Sequence, residues 1–350
     1  SGMDYKHLCN GNIPVYGTGG YMLSVNAALS YDKDAIGIGR KGTINKPYIL
    51  KAPFWTVDTL FYAIPRKYNN LQFCNCIFQR IDWLKYDEST GVPSLSKNII
   101  NSIEVNCAPS YDEQQKIASY FQSLDSLIQT TSKKLVSLKQ IKDASLQSMF
   151  PQEGETVPKV RFKGFEGEWE KIPFGSFLKE SYERSTVENE DILLSSAITG
   201  VYLNSELFGH QRGASNIGYK KIKKNMLILS TQNLHLGNAN VNLRFEHGLI
   251  SPAYKVYEIV NISPLFLQQW IKMDSTKVFF LNATTAGASL CRKNIVWDDL
   301  YKQIVLIPSK NEQVKIGLFF SNLDKQISLQ TQRLEKLKQI KAACLDKMFV

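Results

Sequence analysis

The stretch that decides the fold runs from Asp112 to Phe150, DEQQKIASYFQSLDSLIQTTSKKLVSLKQIKDASLQSMF, because it occurs twice. Without a gap it aligns on Asn311 to Phe349, NEQVKIGLFFSNLDKQISLQTQRLEKLKQIKAACLDKMF, at a constant offset of 199 and with 18 of 39 positions identical. Self-similarity at a fixed offset marks a duplicated structural unit. Within each copy the apolar residues fall three and four apart: Ile117, Phe121, Leu124, Ile128, Leu135 and Leu138, matched by Ile316, Phe320, Leu323, Ile327, Leu334 and Leu337. That spacing lays one apolar seam along a long helix. Thr131 and Gln330 interrupt the seam at matching points. Ser110-x-x-Glu113 and Ser309-x-x-Glu312 supply a start signal in which the serine accepts from a first-turn N–H and the glutamate reaches back. Fully helical, each copy spans about 58 Å at 1.5 Å per residue. A helix so long and narrow cannot bury its seam alone, so an antiparallel pair of the two copies, coiled-coil in character, is expected.

The flanking segments have a different texture. Short apolar runs such as Ala35–Ile38, Thr59–Ile64, Asn225–Leu229 and Gln303–Ile307 are punctuated by Gly, Asn and Pro, which reads as strands and turns. The fold class expected is α+β with a pseudo-twofold internal repeat. A globular domain covers 3–108, a helix 109–150, a linker 151–168, a second globular domain 169–307 and a second helix 308–350. The linker begins PQEGETVP, polar and carrying two prolines. Ser1 and Gly2, ahead of Met3, are left out of this reading.

With 42 Lys plus Arg against 32 Asp plus Glu, the formal net charge of +10 favours a polyanionic partner. No apolar run reaches the roughly eighteen residues of a membrane span, and no signal-peptide pattern opens the chain, so a cytoplasmic protein without a membrane partner is expected. The six cysteines lack disulfide-framework or zinc spacing. Cys74-x-Cys76 reads as part of a half-buried strand rather than as a metal site.

The order of a β-rich domain, EQ-x-x-I-x-x-x-x-x-x-L-D-x-x-I, L-K-Q-I-K and M-F, all present twice, resembles the specificity (S) subunit of type I restriction-modification enzymes. Pro158–Glu170, PKVRFKGFEGEWE, is similar to the lead-in of that family's target-recognition domains. Ile13–Tyr21, Gly39–Gly42 and Phe54–Thr59 resemble the interior of one recognition-domain type. The resemblance implies two target-recognition domains, each reading half of a split double-stranded DNA sequence. It also implies helices that act as spacer and as docking sites for two methyltransferase (M) subunits, with restriction (R) subunits joining the larger complex. No such lead-in precedes the first domain in this sequence, which is therefore expected to be N-terminally shortened.

On this reading Lys and Arg neutralise phosphates while a few polar side chains reach base edges. In the first domain the candidates are Tyr16, Thr18, Arg40, Lys41, Thr43, Asn45 and Lys46, beside glycines that let the backbone approach a partner. In the second they are His210, Gln211, Arg212, Ser215 and Asn216, leading into Lys220, Lys221, Lys223 and Lys224 as a positive loop. Gln232 and Asn233 stand in a further polar cluster with Ser230, Thr231, His235 and Asn238. Catalytic signatures are missing where they would be needed. There is no N-P-P-Y or D-P-P-Y, Gly37–Gly42 is followed by Thr43-Ile44 rather than Lys-Ser/Thr, and His7, His210, His235 and His247 have no metal-ligand spacing. No cofactor, metal or catalytic residue is expected. A freestanding basic DNA-binding or architectural protein would explain the charge, but it does not require a doubled, length-matched helix.

Overall fold

The structure, a computed structural model, describes residues 1–209, 215–289 and 292–349. It divides into two compact units: Ser1–Lys134 with Gln330–Val350, and Leu135–Leu329. Each long helix therefore contributes one stretch to each unit.

In the first unit, β1 (Asn10–Gly17) pairs with β2 (Gly20–Val25) and with β5 (Trp55–Thr56), while β3 (Ala35–Gly39) lies between β4 (Tyr48–Leu50) and β6 (Leu60–Ala63). Every residue of β3 is buried because both its faces are covered. Ala35 joins Leu50, Phe54 and Leu60, whereas Ile36 and Ile38 turn to Trp83 and Leu95. α1 (Leu71–Arg80) and α2 (Lys97–Ser102) complete the globule before α3 (Tyr111–Ser148) begins. Cys74 and Cys76 sit on α1 and not on a strand. The Asn70 side chain accepts from the Gln72 and Phe73 N–H groups, and the buried Phe73, Cys76 and Ile77 follow helical spacing. A cap and a 3.6-residue period thus override the strand-like composition. Burial pushes the two thiols up to about 11 and about 12, so they stay neutral.

The second unit holds two four-stranded sheets. One runs β10 (Gly200–Leu203), β9 (Leu193–Ala197), β14 (His247–Ile250), β11 (Lys220–Lys223). The other runs β13 (Ala239–Val241), β12 (Leu227–Ser230), β15 (Tyr254–Ile259), β8 (Leu178–Glu180). β12 is buried throughout: Ile228 faces the first sheet with Leu194, Ile222 and Val256 as neighbours, and Leu227 and Leu229 face helices. Those helices are α5 (Pro264–Trp270), α6 (Asp274–Leu281) and the start of α8 (Lys310–Lys347), with α4 (Asn204–Phe208) and α7 (Trp297–Lys302) more peripheral. β7 (Glu170–Pro173) pairs antiparallel with β18 (Ile304–Ile307), and β16 (Thr284–Ser289) with β17 (Arg292–Ile295).

The seam is used in both units. In the first, Phe121 meets Phe349 at 6.0 Å between ring centroids and Asp125 pairs with Lys341 at 2.6 Å. In the second, Phe320 meets Phe150 at 6.1 Å and Asp324 pairs with Lys142 at 2.6 Å. One chain direction rises as the other falls, so the helices run antiparallel within each unit. Gly317 has a packing reason, since a Cβ there would come within 2.7 Å of Leu265 Cβ on α5. The expected start signal forms only in part. Glu312 N–H donates to Ser309 Oγ at 3.4 Å, but the Glu312 carboxylate does not reach back; both its oxygens accept from Arg161, at 2.9 and 2.7 Å. A charged fork competes better for a buried carboxylate than a single backbone N–H does.

Candidate nucleic-acid interface

Two glycine turns of the first unit come together. The β1–β2 hairpin closes through Thr18 and Gly19, and the chain after β3 passes through Arg40, Lys41 and Gly42. A Cβ on Gly42 would lie 3.8 Å from Thr18 Oγ1, and Tyr48 Oη donates to the Gly17 carbonyl at 2.6 Å. The Tyr16 ring packs against Tyr48 and Tyr21, centroids 6.1 and 6.4 Å apart. Burial pushes the Tyr48 hydroxyl up to about 12, which keeps it a neutral donor. Gly39 is required because a Cβ there would lie 2.1 Å from the Thr43 carbonyl oxygen, and Gly42 has φ +92°.

On this frame Arg40, Lys41, Asn45 and Lys46 are exposed, with Tyr16, Thr18 and Thr43 half-buried beside them. Arg40 leans over Phe61 at 5.9 Å and donates to the Asp58 carbonyl at 3.2 Å. The ion pairs described in this unit use Lys51, Lys85 and Lys341, so Lys41 and Lys46 have no acidic partner among the described residues.

The second unit spends its cations differently. His210, Gln211 and Arg212 lie outside the described residues. Ser215 Oγ donates to Glu188 at 2.5 Å. Asn216, 2% exposed, donates from Nδ2 to Asn189 Oδ1 at 2.8 Å and accepts the Asn189 N–H at 2.7 Å, so its amide braces the loop. Lys220 to Lys224 do not form a free positive loop, because Lys220–Lys223 is the edge strand β11. Lys220 is 6% exposed and burial lowers its pKa. Lys221 pairs with Glu190, Lys223 with Glu183 at 3.6 Å, and Lys224 with Glu246. Alternation along the strand turns Lys220 and Ile222 inward and Lys221 and Lys223 outward, where carboxylates from other segments meet them.

In the loop after β12, Gln232 is exposed and Asn233 half-buried; their N–H groups donate to Ser230 Oγ at 3.3 and 3.1 Å. Thr231 Oγ1 donates to the Ala253 carbonyl at 2.9 Å, and Asn238 accepts from Ser196 at 3.1 Å. His235 is buried there, with neither ring nitrogen hydrogen-bonded among the described residues. No group of three or more His, Cys, Asp or Glu able to hold a metal stands among the described residues, and no described helix is long and apolar enough to cross a membrane.

Two positioning residues escaped the sequence reading. Gln114 Oε1 accepts from the Asn70 N–H at 2.9 Å while its Nε2 donates to the Ala108 carbonyl at 2.8 Å. Its counterpart Gln313 accepts from the Ser263 N–H at 2.8 Å and donates to the Pro308 carbonyl at 2.9 Å. Asn70 and Ser263 are the N-caps of α1 and α5, so each glutamine ties a domain helix to the start of a long helix. The signal was the identical Glu-Gln pair at the head of both copies.

Residues 4–140 match the family model of the type I restriction modification DNA specificity domain. No curated protein matches the chain in sequence. Among solved structures, the S subunit of a type I restriction-modification system from M. genitalium matches with a TM-score of 0.66 at 14% identity, over 100% of this chain and 92% of that one. The HsdS subunit from Thermoanaerobacter tengcongensis gives a TM-score of 0.44 at 14% identity, over 97% of this chain and 90% of that one. The whole chain thus has the fold of a DNA-specificity subunit. Residues 4–140 thus resemble a type I restriction modification DNA specificity domain, and the chain as a whole is similar in fold to an S subunit.

Proposed function

We propose that this subunit recognises a bipartite double-stranded DNA target, one half-site per recognition domain, and docks two methyltransferase subunits, with restriction subunits joining the larger complex. The observation that carries the reading is the duplicated contact set: Phe121 with Phe349 and Asp125 with Lys341 in one unit, Phe320 with Phe150 and Asp324 with Lys142 in the other. Each unit thereby offers a similar helical platform to a partner. In the first domain the exposed Arg40, Lys41, Asn45 and Lys46 are the DNA-facing set, with Tyr16, Thr18 and Thr43 framing them. In the second, Ser215, Gln232 and Asn233 are the described candidates, His210, Gln211 and Arg212 lie outside the described residues, and Asn216 and Lys220 to Lys224 shape the support. The helices act as spacer between half-sites.

Inserting seven residues after both Lys134 and Arg333 keeps the seam in register and adds about 10 Å to each helix. With DNA rising about 3.4 Å per base pair, the unspecified gap in the methylated sequence should grow by about three base pairs. Methylome sequencing of cells that co-express the cognate methyltransferase reads this directly; an active variant with an unchanged gap refutes the spacer role.

A further inference from the structure

A cavity of about 400 Å³ opens in the second unit, bordered by the turn at 152–155, by α6 and by β18. The turn is built by a glycine and a carboxylate. Gly154 takes φ +80°, the Glu155 N–H donates to the Gln152 carbonyl at 2.9 Å, and the Glu155 carboxylate accepts the Gln152 N–H at 3.2 Å. Phe150, Trp169, Trp270 and Phe279 supply aromatic walls. Trp270 meets Phe279 edge to face at 5.1 Å between ring centroids and Trp169 meets Phe150 at 5.8 Å, so the rings hold one another in place.

Two polar groups interrupt this apolar lining. Trp169 is 3% exposed, and its Nε1–H has no acceptor among the described residues. Gln303 gives its backbone carbonyl to the Phe174 N–H at 2.8 Å, but its Nε2 is buried and likewise has no acceptor. Buried donors in folded proteins are nearly always met, so two unmet ones lining one cavity point to an acceptor placed inside it. Glu153, exposed and without an ion pair among the described residues, and Glu155, 4.0 Å from Lys159, also line the cavity. Their charge disfavours an anion.

We propose that this cavity is a binding site for a small, neutral aromatic molecule carrying a carbonyl-type acceptor. The ring lies among Trp169, Trp270 and Phe279, and the acceptor takes the Trp169 Nε1–H and the Gln303 Nε2–H. The volume falls in the range of small-molecule sites, about 300–1,000 Å³, whose walls are mainly apolar and aromatic with a few placed polar groups. Edge-to-face and offset contacts with the wall rings favour a flat ring over an aliphatic chain. The two donors select a molecule with an acceptor over a plain hydrocarbon, and the two glutamates select a carbonyl over a carboxylate.

The test uses the full chain, nitrogen-labelled in its five tryptophan indoles, with the Trp169 N–H signal assigned by its loss in Trp169→Phe. Benzamide is the probe; toluene offers the ring without the acceptor, and benzoate offers it with a negative charge. Benzamide should move the Trp169 signal saturably and bind about tenfold more tightly than either analogue. Gln303→Met, close in volume but without the amide, should weaken benzamide and leave toluene unchanged, so that toluene binding reports an intact cavity. Glu153→Gln, at an exposed position, should strengthen benzoate binding about threefold and leave benzamide unchanged. Absence of a saturable shift at Trp169 overturns the proposal, as does benzamide binding no tighter than toluene or unweakened by Gln303→Met. A water signal on the Trp169 N–H that persists at saturating benzamide also overturns it, because water then meets the donor. Benzoate binding unmoved by Glu153→Gln overturns the choice of a neutral ligand.

Discussion

The loop from Arg40 to Lys46 and the stretch from Lys220 to Lys224, which holds β11, look alike in sequence, two basic stretches beside glycine and asparagine, yet the fold treats them in opposite ways. Lys41 and Lys46 stand without acidic partners among the described residues, whereas Lys221, Lys223 and Lys224 each hold a carboxylate and Lys220 is buried. A phosphate can take an unpartnered lysine at the cost of displacing water and counterions, but it must compete with a glutamate for a paired one. Other cations of the second unit follow the same pattern. Arg161 is bound to buried Glu312, and Lys272 donates to the Ile198 and Ala239 carbonyls at 2.7 and 2.8 Å. Lys41 and Lys46 in the first unit are therefore left without a carboxylate among the described residues, whereas Arg161, Lys220 to Lys224 and Lys272 in the second are engaged in its fold.

The largest expected effect tests the structural side of this contrast. Arg161→Ala strands the Glu312 carboxylate in a buried site and should lower stability by about 3–5 kcal/mol. Glu113→Ala at the exposed counterpart should stay within about 0.5 kcal/mol. Urea unfolding followed by tryptophan fluorescence measures both, and equal losses would break the distinction.

Lys272 should produce the next largest effect, as a function of pH. Burial first, then the nearby Lys142 and Lys277 charges, lower its pKa from 10.5 to about 8. Between those two values the unfolded chain holds more protons than the folded one, so stability rises with pH in that window, and the gain is lost as pH falls through about 8. Comparing wild type with Lys272→Met, the difference in unfolding free energy should shift in favour of wild type by about 2 kcal/mol between pH 8 and pH 10.5. A difference that stays flat across that range contradicts the buried charge.

Smallest in energy but most direct for function is the salt dependence of DNA binding. Lys41→Ala and Lys46→Ala should each reduce the slope of log affinity against log salt by about 0.9 if each lysine contacts a phosphate, leaving stability within about 0.5 kcal/mol. Lys223→Ala and Lys224→Ala should each reduce it by less than half as much. If the second pair proves the stronger, the assignment of the DNA-facing cations must be reversed.

Much of the architecture was legible because it rests on periodicity. The three-and-four spacing of Ile117, Phe121 and Leu124, repeated at Ile316, Phe320 and Leu323, specifies two long helices without reference to anything distant. The strands around Ile36, Phe61, Ile228 and Val305 were equally visible as short apolar runs. Legibility failed where two local signals conflicted, as at Cys74 and Cys76, where a helix cap at Asn70 outweighs strand-like composition. It failed again where a side chain had a choice of partners: Glu312 satisfies Arg161 rather than the helix start, and Gln114 and Gln313 reach N-caps that lie far off in the chain.

By itself, then, the sequence determined the duplication, the helices and their seam, and the family likeness carried by the doubled motif, since identity and spacing are properties of a line of residues. Only the tertiary structure decided which charges remain available. The carboxylates that neutralise β11 come from Glu183, Glu190 and Glu246, on segments brought beside it by sheet pairing, while none is brought to Lys41 or Lys46 among the described residues. Coulombic pairing depends on separation through space, falling off within a Debye length of about 8 Å at physiological salt, and that separation is set by the fold.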